Sequence, residues 1–347
     1  MRVKLFIKLF TAVTLIIAGT TSVSAHTGFD QKIIGLDTVS WDPIPKDGCK
    51  ASYGKELNQR VSGRIFPAKT NHRVLLIPIL NKTISEPPLG SPDKVTLPEI
   101  DFGIKDDRQV DIFFTPHPDD ETLSMGVMVA NAKKAGHRVI IVALTDGRTT
   151  GSIKVLNAKL QKALPSASPL TSEEVALARD KELIRAMAVL GIPESDIHFM
   201  HFDTAESDCS HALSFSEARA AMDLFAREFP SAYFVTMSAI AERHPDHLAA
   251  GEALLALERA GVISPDHVLF TVSRLWWGLP SPTWRWLIPH DPEKELLSKA
   301  TSEYLKWDPN NEQYSIGFLS VEKQFGAFVK DFRNRIHGID GQQSGIH

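Results

Sequence analysis

From about residue 107 the apolar positions of this chain switch repeatedly between two periods. Short, largely apolar runs at Val110–Thr115 and Val139–Leu144 predict strands buried on both faces. Between them, Glu121–Ala135 sets Leu123, Val127, Met128 and Ala132 on one helical face, with Gly136 as a stop signal. The same alternation predicts a helix over Ser172–Leu190, capped by Ser172 and closed by Gly191. It continues with strands at Ile197–Met200, Tyr233–Met237 and His267–Val272, and helices at Phe215–Phe229 and His247–Ala260. Thr145–Pro169, rich in Gly, Ser and Thr, reads as a long loop. Strands alternating with helices predict an α/β fold, a Rossmann-like and mostly parallel sheet with helices on both faces. Ligands of such sheets bind at the carboxyl ends of the strands.

Residues 26–106 have a different texture. Prolines and glycines punctuate them, and the one strong apolar run, Val74–Leu80, carries Pro78, the mark of an edge strand or bulge. They read as an irregular N-terminal extension packed on the core. Residues 1–25 read as a secretory signal: Arg2, Lys4 and Lys8 precede a short apolar stretch, and Val23-Ser24-Ala25 is a small-residue cleavage pattern. A retained anchor is the rival, but the stretch falls short of the ~20 residues that a span needs. The expected organisation is therefore a signal at 1–25, an extension at 26–106 and a main domain at 107–347, in a periplasmic or secreted protein without a stable membrane span.

Charge and cysteines narrow the partners. The 347 residues carry a net charge of −4, and loss of residues 1–25 removes three cations and no acid. That surplus, with no basic run, argues against nucleic acid. Cys49 and Cys209 form one disulfide in an oxidising compartment or remain two thiols; neither belongs to a CxxC pair. The tail from Trp276 interleaves Trp276, Trp277, Trp284 and Trp286 with Pro280, Pro282 and Pro289, either a sugar-stacking surface or aromatic packing of an irregular segment.

Two runs of similar spelling lie at predicted strand ends: His117-Pro118-Asp119-Asp120-Glu121 after Val110–Thr115, and His244-Pro245-Asp246-His247 after Tyr233–Met237. One such run alone is a polar turn that caps a helix. Two of them, brought together by folding, gather imidazoles and carboxylates suited to a divalent metal, zinc above all, with a carboxylate to spare as a base. HExxH, GxSxG, GxxxxGK[ST] and GxGxxG are all absent, which leaves zincin, serine hydrolase and nucleotide-binding readings without support.

Thr115-Pro116-His117-Pro118-Asp119-Asp120-Glu121 resembles the signature of the zinc-dependent de-N-acetylases related to LmbE and to N-acetylglucosaminyl-phosphatidylinositol deacetylase. Leu144-Thr145-Asp146-Gly147 is similar to that family's second strand end, and Arg179-Asp180-Lys181-Glu182 with Leu190-Gly191-Ile192 to its Arg-x-x-Glu helix. The likeness covers about residues 108–275. It implies that His117, Asp120 and His247 ligate Zn²⁺, that Asp119 is the general base, and that His244, oriented by Asp246, is a cation facing the oxyanion. Arg179 is then a substrate-binding residue or holds the loop that carries substrate; its other reading is an ion pair with Glu182 on the same helix. Where some relatives place a proton-donating tyrosine, this chain has Glu242, so the leaving amine takes its proton from Glu242, from Asp119 or from another group. Glu121 reads as a helix N-terminal carboxylate. His201 and His211, near Asp203, border the cleft, and His137, His198 and His267 read as structural.

The expected function is an exported zinc-dependent hydrolase that removes an acetyl or other acyl group from an N-acylated amino sugar or its conjugate. A metal-dependent amidase of a non-sugar amide, peptide or antibiotic, and a carbohydrate-binding module without turnover are the alternatives.

Overall fold

The computed structural model describes residues 95–103, 107–148, 150–202, 213–277 and 284–339, all within the unit spanning Pro45–His347. The signal at 1–25, the apolar run at 74–80, both cysteines, Asp203 and His211 lie outside the described residues. No helix among the described residues is long and apolar enough to cross a membrane.

The elements are β1 (Val110–Thr115), α1 (Asp120–Leu123), α2 (Gly126–Lys134), β2 (Arg138–Ala143), α3 (Ile153–Ala163), α4 (Ser172–Val189), β3 (Ile197–Phe199), α5 (Phe215–Glu228), β4 (Tyr233–Met237), α6 (Pro245–Arg259) and β5 (Val268–Val272). They continue with β6 (Arg285–Leu287), α7 (Asp291–Glu303), β7 (Trp307–Asp308), β8 (Gln313–Tyr314), α8 (Ile316–Ser320), α9 (Glu322–Phe328) and β9 (Asn334–His337). One sheet runs β3-β2-β1-β4-β5-β9-β6. Its first five strands are parallel, and β9 is antiparallel to both neighbours.

Because strand side chains alternate, each face builds its own core. Phe113, Ile141, Val235 and Leu269 pack with Leu183, Met187, Leu297 and Tyr304. Ile112, Phe114, Val142 and Phe270 pack on the other face with Met222, Phe225, Leu254 and Leu257. Val95, Leu97, Ile100 and Phe102, the described end of the N-terminal extension, lie against this second core, where the Phe102 ring meets Phe225 edge-on at 5.2 Å.

Four local expectations change. Thr145–Pro169 is not a plain loop: its Gly and Ser residues start α3, which buries only Leu156 and Leu160, spaced i, i+4. Thr171 rather than Ser172 caps α4, in a reciprocal capping box with Glu174. The helix expected over 121–135 is broken between α1 and α2. Asn334 of β9 inserts there, its Nδ2 donating to Leu123 O (3.1 Å) while its Oδ1 accepts from Val127 N (2.8 Å). One side chain thus takes both groups of a missing helical hydrogen bond. The tryptophan-rich tail is a laced edge: Trp277 and Trp286 meet edge-on at 4.7 Å, Arg274 lies over Trp277 at 3.9 Å, and Arg335 over Trp284 at 3.7 Å.

Candidate metal centre

Both histidine runs sit where strands end, and local hydrogen bonds shape each. After β1, Thr115 Oγ1 donates to His117 O (2.6 Å), and the same carbonyl accepts from the amides of Asp119 (2.9 Å) and Asp120 (3.2 Å). This tight turn leaves His117, Asp119 and Asp120 as its projecting side chains. After β4, Ser238 Oγ accepts from the amides of Ile240 and Ala241 and so shapes the start of the loop. His244 then caps α6, its Nδ1 accepting from Asp246 N at 3.3 Å, and Pro245 opens the helix at a position that needs no N–H. His247 follows within the first turn.

The two runs meet. His117 Nδ1 lies 3.2 Å from Asp120 Oδ2, which lies 3.1 Å from His247 Nε2, which lies 3.3 Å from His117 Nδ1. A tetrahedral zinc with ligands at about 2.0–2.1 Å separates them by about 3.3 Å, so the spacing of this N, O, N triangle fits the ion. The three imidazoles His117, His244 and His247 also offer atoms within 4.8 Å of one another, a looser group that could hold a metal.

Each inward-facing imidazole has a carboxylate on its other nitrogen. His117 Nε2 is 2.8 Å from Asp246 Oδ2, and His247 Nδ1 is 3.0 Å from Glu242 Oε2. Such pairs fix the ring and its tautomer and raise ligand basicity. Both carboxylates are held in turn: Asp246 Oδ1 accepts from Leu213 N (3.0 Å), and Glu242 accepts from Ser273 N and from Ser273 Oγ (3.0 Å).

These contacts correct three expectations. Asp246 does not orient His244: its Oδ2 stands 3.8 Å from His244 Nδ1, while the same atom is bonded to His117. Glu242 is buried and committed to His247 and Ser273, which sets it against the proton-donor reading. Arg179 is 3% exposed and gives its guanidinium to protein groups, namely Asp119 Oδ2 (2.8 Å), Pro118 O (2.9 Å) and Gly147 O (3.2 Å). Its guanidinium thus bridges Asp119 and the two turns at Pro118 and Gly147. Its alternative partner, Glu182, accepts instead from Ile316 N (2.7 Å) and Gly317 N (2.8 Å).

The charges suit a cation. Burial opposes ionisation of Asp120, but the imidazoles of His247 and His117 outweigh it and hold the carboxyl below its usual range. Burial likewise opposes protonation of His117, which Asp120 and Asp246 nevertheless raise to about 9. His247 is raised by Asp120 and Glu242 in the same way. Protons on both rings neutralise surplus carboxylates, the work that a divalent ion does when it displaces them. Burial pushes Asp119 up to about 6, against the pull of Arg179. His244 is held below the imidazole range by burial and by its two imidazole neighbours. Its Nδ1 accepts a backbone hydrogen bond, so the neutral ring carries its proton on Nε2, a neutral donor rather than the expected cation.

His201, with φ 51°, pairs through Nε2 with Asp180 Oδ2 at 3.2 Å. Motif reading missed the two outer carboxylate–imidazole pairings. Glu242 shows only as the fifth residue before His247, and nothing in its surroundings in sequence marks it as a partner.

Residues 112–258 match the family model described as GlcNAc-PI de-N-acetylase. Among solved structures, a triple mutant of a deacetylase from the teicoplanin biosynthetic pathway is 17% identical, with 66% of this chain and 97% of that chain covered and a TM-score of 0.49. An N,N'-diacetylchitobiose deacetylase from Pyrococcus horikoshii is 18% identical, with coverages of 68% and 85% and a TM-score of 0.43. A 4-carboxy-2-hydroxymuconate hydratase from Pseudomonas putida is 14% identical, with coverages of 68% and 98% and a TM-score of 0.43. No curated protein matches the chain.

Proposed function

We propose that this chain, whose residues 112–258 match the family model described as GlcNAc-PI de-N-acetylase, is an exported, zinc-dependent hydrolase that removes an acyl group, acetyl first, from an N-acylated amino sugar or its conjugate. The observation that carries the reading is the triangle of His117 Nδ1, Asp120 Oδ2 and His247 Nε2 at 3.1–3.3 Å. Those three residues are the proposed ligands. A metal held there supplies Lewis acidity to the amide carbonyl and to water at neutral pH.

The remaining roles fall to the chain itself. Asp119, held by Arg179, takes a proton from the attacking water and returns it to the departing nitrogen, so one carboxylate serves as base and then as acid. His244, beside the cluster, donates from Nε2 to the oxygen on which charge develops. Asp246 and Glu242 keep His117 and His247 in their ligating tautomers. Export with removal of residues 1–25 belongs to the same reading, and the mass of the mature protein checks it.

The deciding experiment measures acetate released from N-acetylglucosamine conjugates by zinc-loaded protein. Release that a chelator abolishes and zinc restores supports the proposal. Amine release from other amides, with no acetate from any amino sugar, moves the enzyme to a non-sugar amide. Sugar binding without any turnover overturns the catalytic reading.

A further inference from the structure

Glu121 and Tyr304 form a buried pair beside the metal centre that no step of the proposed chemistry uses. Both side chains are fully shielded from solvent. Tyr304 donates its hydroxyl to Glu121 Oε1 at 2.5 Å, and Thr122 Oγ1 donates to the same oxygen at 2.6 Å. Glu121 Oε2 has no partner among the described residues. Packing alone does not account for this pair: a carboxyl out of water with an unpaired oxygen is costly, and an apolar side chain of that volume fills the space without the cost.

The short helix explains why the pair is needed. α1 has four residues, too few to hold its own shape by backbone bonding. Its carboxyl end is tied by Asn334 to Leu123 O and by Thr271 Oγ1 to Ser124 O (2.5 Å). Its amino end carries Asp120 and follows Asp119. There Arg179 grips Asp119 and Tyr304 grips Glu121, on either side of Asp120 and its contacts with His117 and His247.

Tyr304 itself is seated from two sides. Its ring packs 5.3 Å from that of Phe325, and a Cβ added at Gly317 would lie 2.7 Å from Tyr304 Cδ1, so only glycine admits the ring there. The same Gly317, with Ile316, donates its amide to Glu182, one helical turn beyond Arg179 on α4. The turn at 316–317 therefore steadies both grips on the Asp119-Asp120 segment. Tyr304, Ile316 and Gly317 all lie beyond the family-matched span of 112–258.

We infer that Tyr304 is a positioning residue for the metal centre: by holding Glu121 it sets where α1 presents Asp120 and Asp119. The inference rests on the metal reading above. It is tested by the zinc affinity of the full chain, read by competition with a chromophoric chelator, so no turnover is required. Tyr304→Phe keeps the ring and removes the hydroxyl; Glu121→Leu removes the acceptor; Glu121→Gln keeps an acceptor oxygen. Tyr304→Phe and Glu121→Leu are each expected to raise the zinc Kd about tenfold, the lower range for outer-sphere changes. The double variant is expected to be no worse than either single one, and Glu121→Gln to stay near wild type. Unchanged affinity in Tyr304→Phe, losses that multiply in the double variant, or a Glu121→Gln as weak as Glu121→Leu each overturn the inference. A wild-type chain that binds no zinc sinks the metal reading instead.

Discussion

Arg179 and Asp119 form a buried ion pair, Nη2 to Oδ2 at 2.8 Å, and the same guanidinium ties the carbonyls of Pro118 and Gly147. The pair sets the working range of the proposed base. Burial pushes Asp119 up to about 6, and Arg179 is the leading force holding it down. Removing the cation raises that carboxyl further, because an adjacent arginine typically lowers an aspartate by about 1–3 pKa units. Arg179→Gln is thus expected to move the acid limb of kcat/KM upward by about one pH unit or more. Activity is lost more at pH 6 than at pH 8, and a pH–rate profile of the two proteins checks it. An unmoved limb would remove Arg179 from this role.

In the proposed assignment Asp119 serves the chemistry and its neighbour Asp120 binds the metal. Asp119→Asn keeps the shape of the side chain and abolishes its basicity. Its kcat is expected to fall by about 10²–10⁴-fold, the usual worth of a positioned base, with zinc content retained. Asp120→Ala is expected to lose zinc itself. Metal analysis of both purified variants decides the matter, since zinc loss in Asp119→Asn would exchange the assignments.

How far the sequence could be read follows from these side chains. Strand and helix positions between 110 and 272 follow from burial, because the sheet buries both faces and its strands are continuous apolar runs. The Asp119-Asp120 turn was legible because its residues are adjacent. The pairs that hold the site join residues far apart: His117 with Asp246, Arg179 with Asp119, Tyr304 with Glu121. Each contact joins elements far apart in the chain, and local spacing encodes none of them. β9 was illegible for a similar reason, since Asn334 serves as a bridge to α1 and α2 and not as part of an alternating strand pattern.

The outer carboxylates give a prediction that the strand-end motifs alone would have missed. Asp246→Asn and Glu242→Gln keep size but weaken the hold on His117 and His247. Each is expected to cost about 10–100-fold in zinc affinity. If Asp246 served His244 alone, Asp246→Asn would leave the zinc Kd unchanged while lowering kcat. A competition titration beside the kinetics tells the two apart.

Glu182 makes stability depend on pH. Burial lifts its carboxyl from 4.5 to about 7, although the amides of Gly317 and Ile316 pull the other way. Between those values the folded chain keeps a proton that the unfolded chain has released. The group's contribution is therefore complete below pH 4.5 and is lost as pH rises through 7. At about 1.36 kcal/mol per pKa unit, the loss is on the order of 3 kcal/mol. Urea unfolding of chelator-treated protein at pH 5 and pH 8 is expected to show a smaller difference in Glu182→Gln than in wild type. The protonated histidines contribute equally to both proteins and cancel from the comparison. Equal differences would place the effect elsewhere.

Gly251 governs how close α6 comes to the sheet. A Cβ there would lie 2.4 Å from Ala239 N and 2.6 Å from Met237 O, backbone atoms that cannot swing aside as a side chain can. Gly251 stands one helical turn after His247 on α6, so room for a methyl group is made by moving the helix that carries His247. Gly251→Ala is expected to destabilise the fold by about 1–3 kcal/mol, as overpacking does, and to weaken zinc binding at the same time. Gly326→Ala supplies the control, because a Cβ at that helical position meets nothing within 4 Å. There alanine's helix preference is expected to stabilise by up to about 1 kcal/mol with zinc affinity unchanged. If Gly251→Ala lost stability but kept its zinc affinity, the placement of His247 would depend on its bond to Glu242 and not on the approach of α6 to the end of β4.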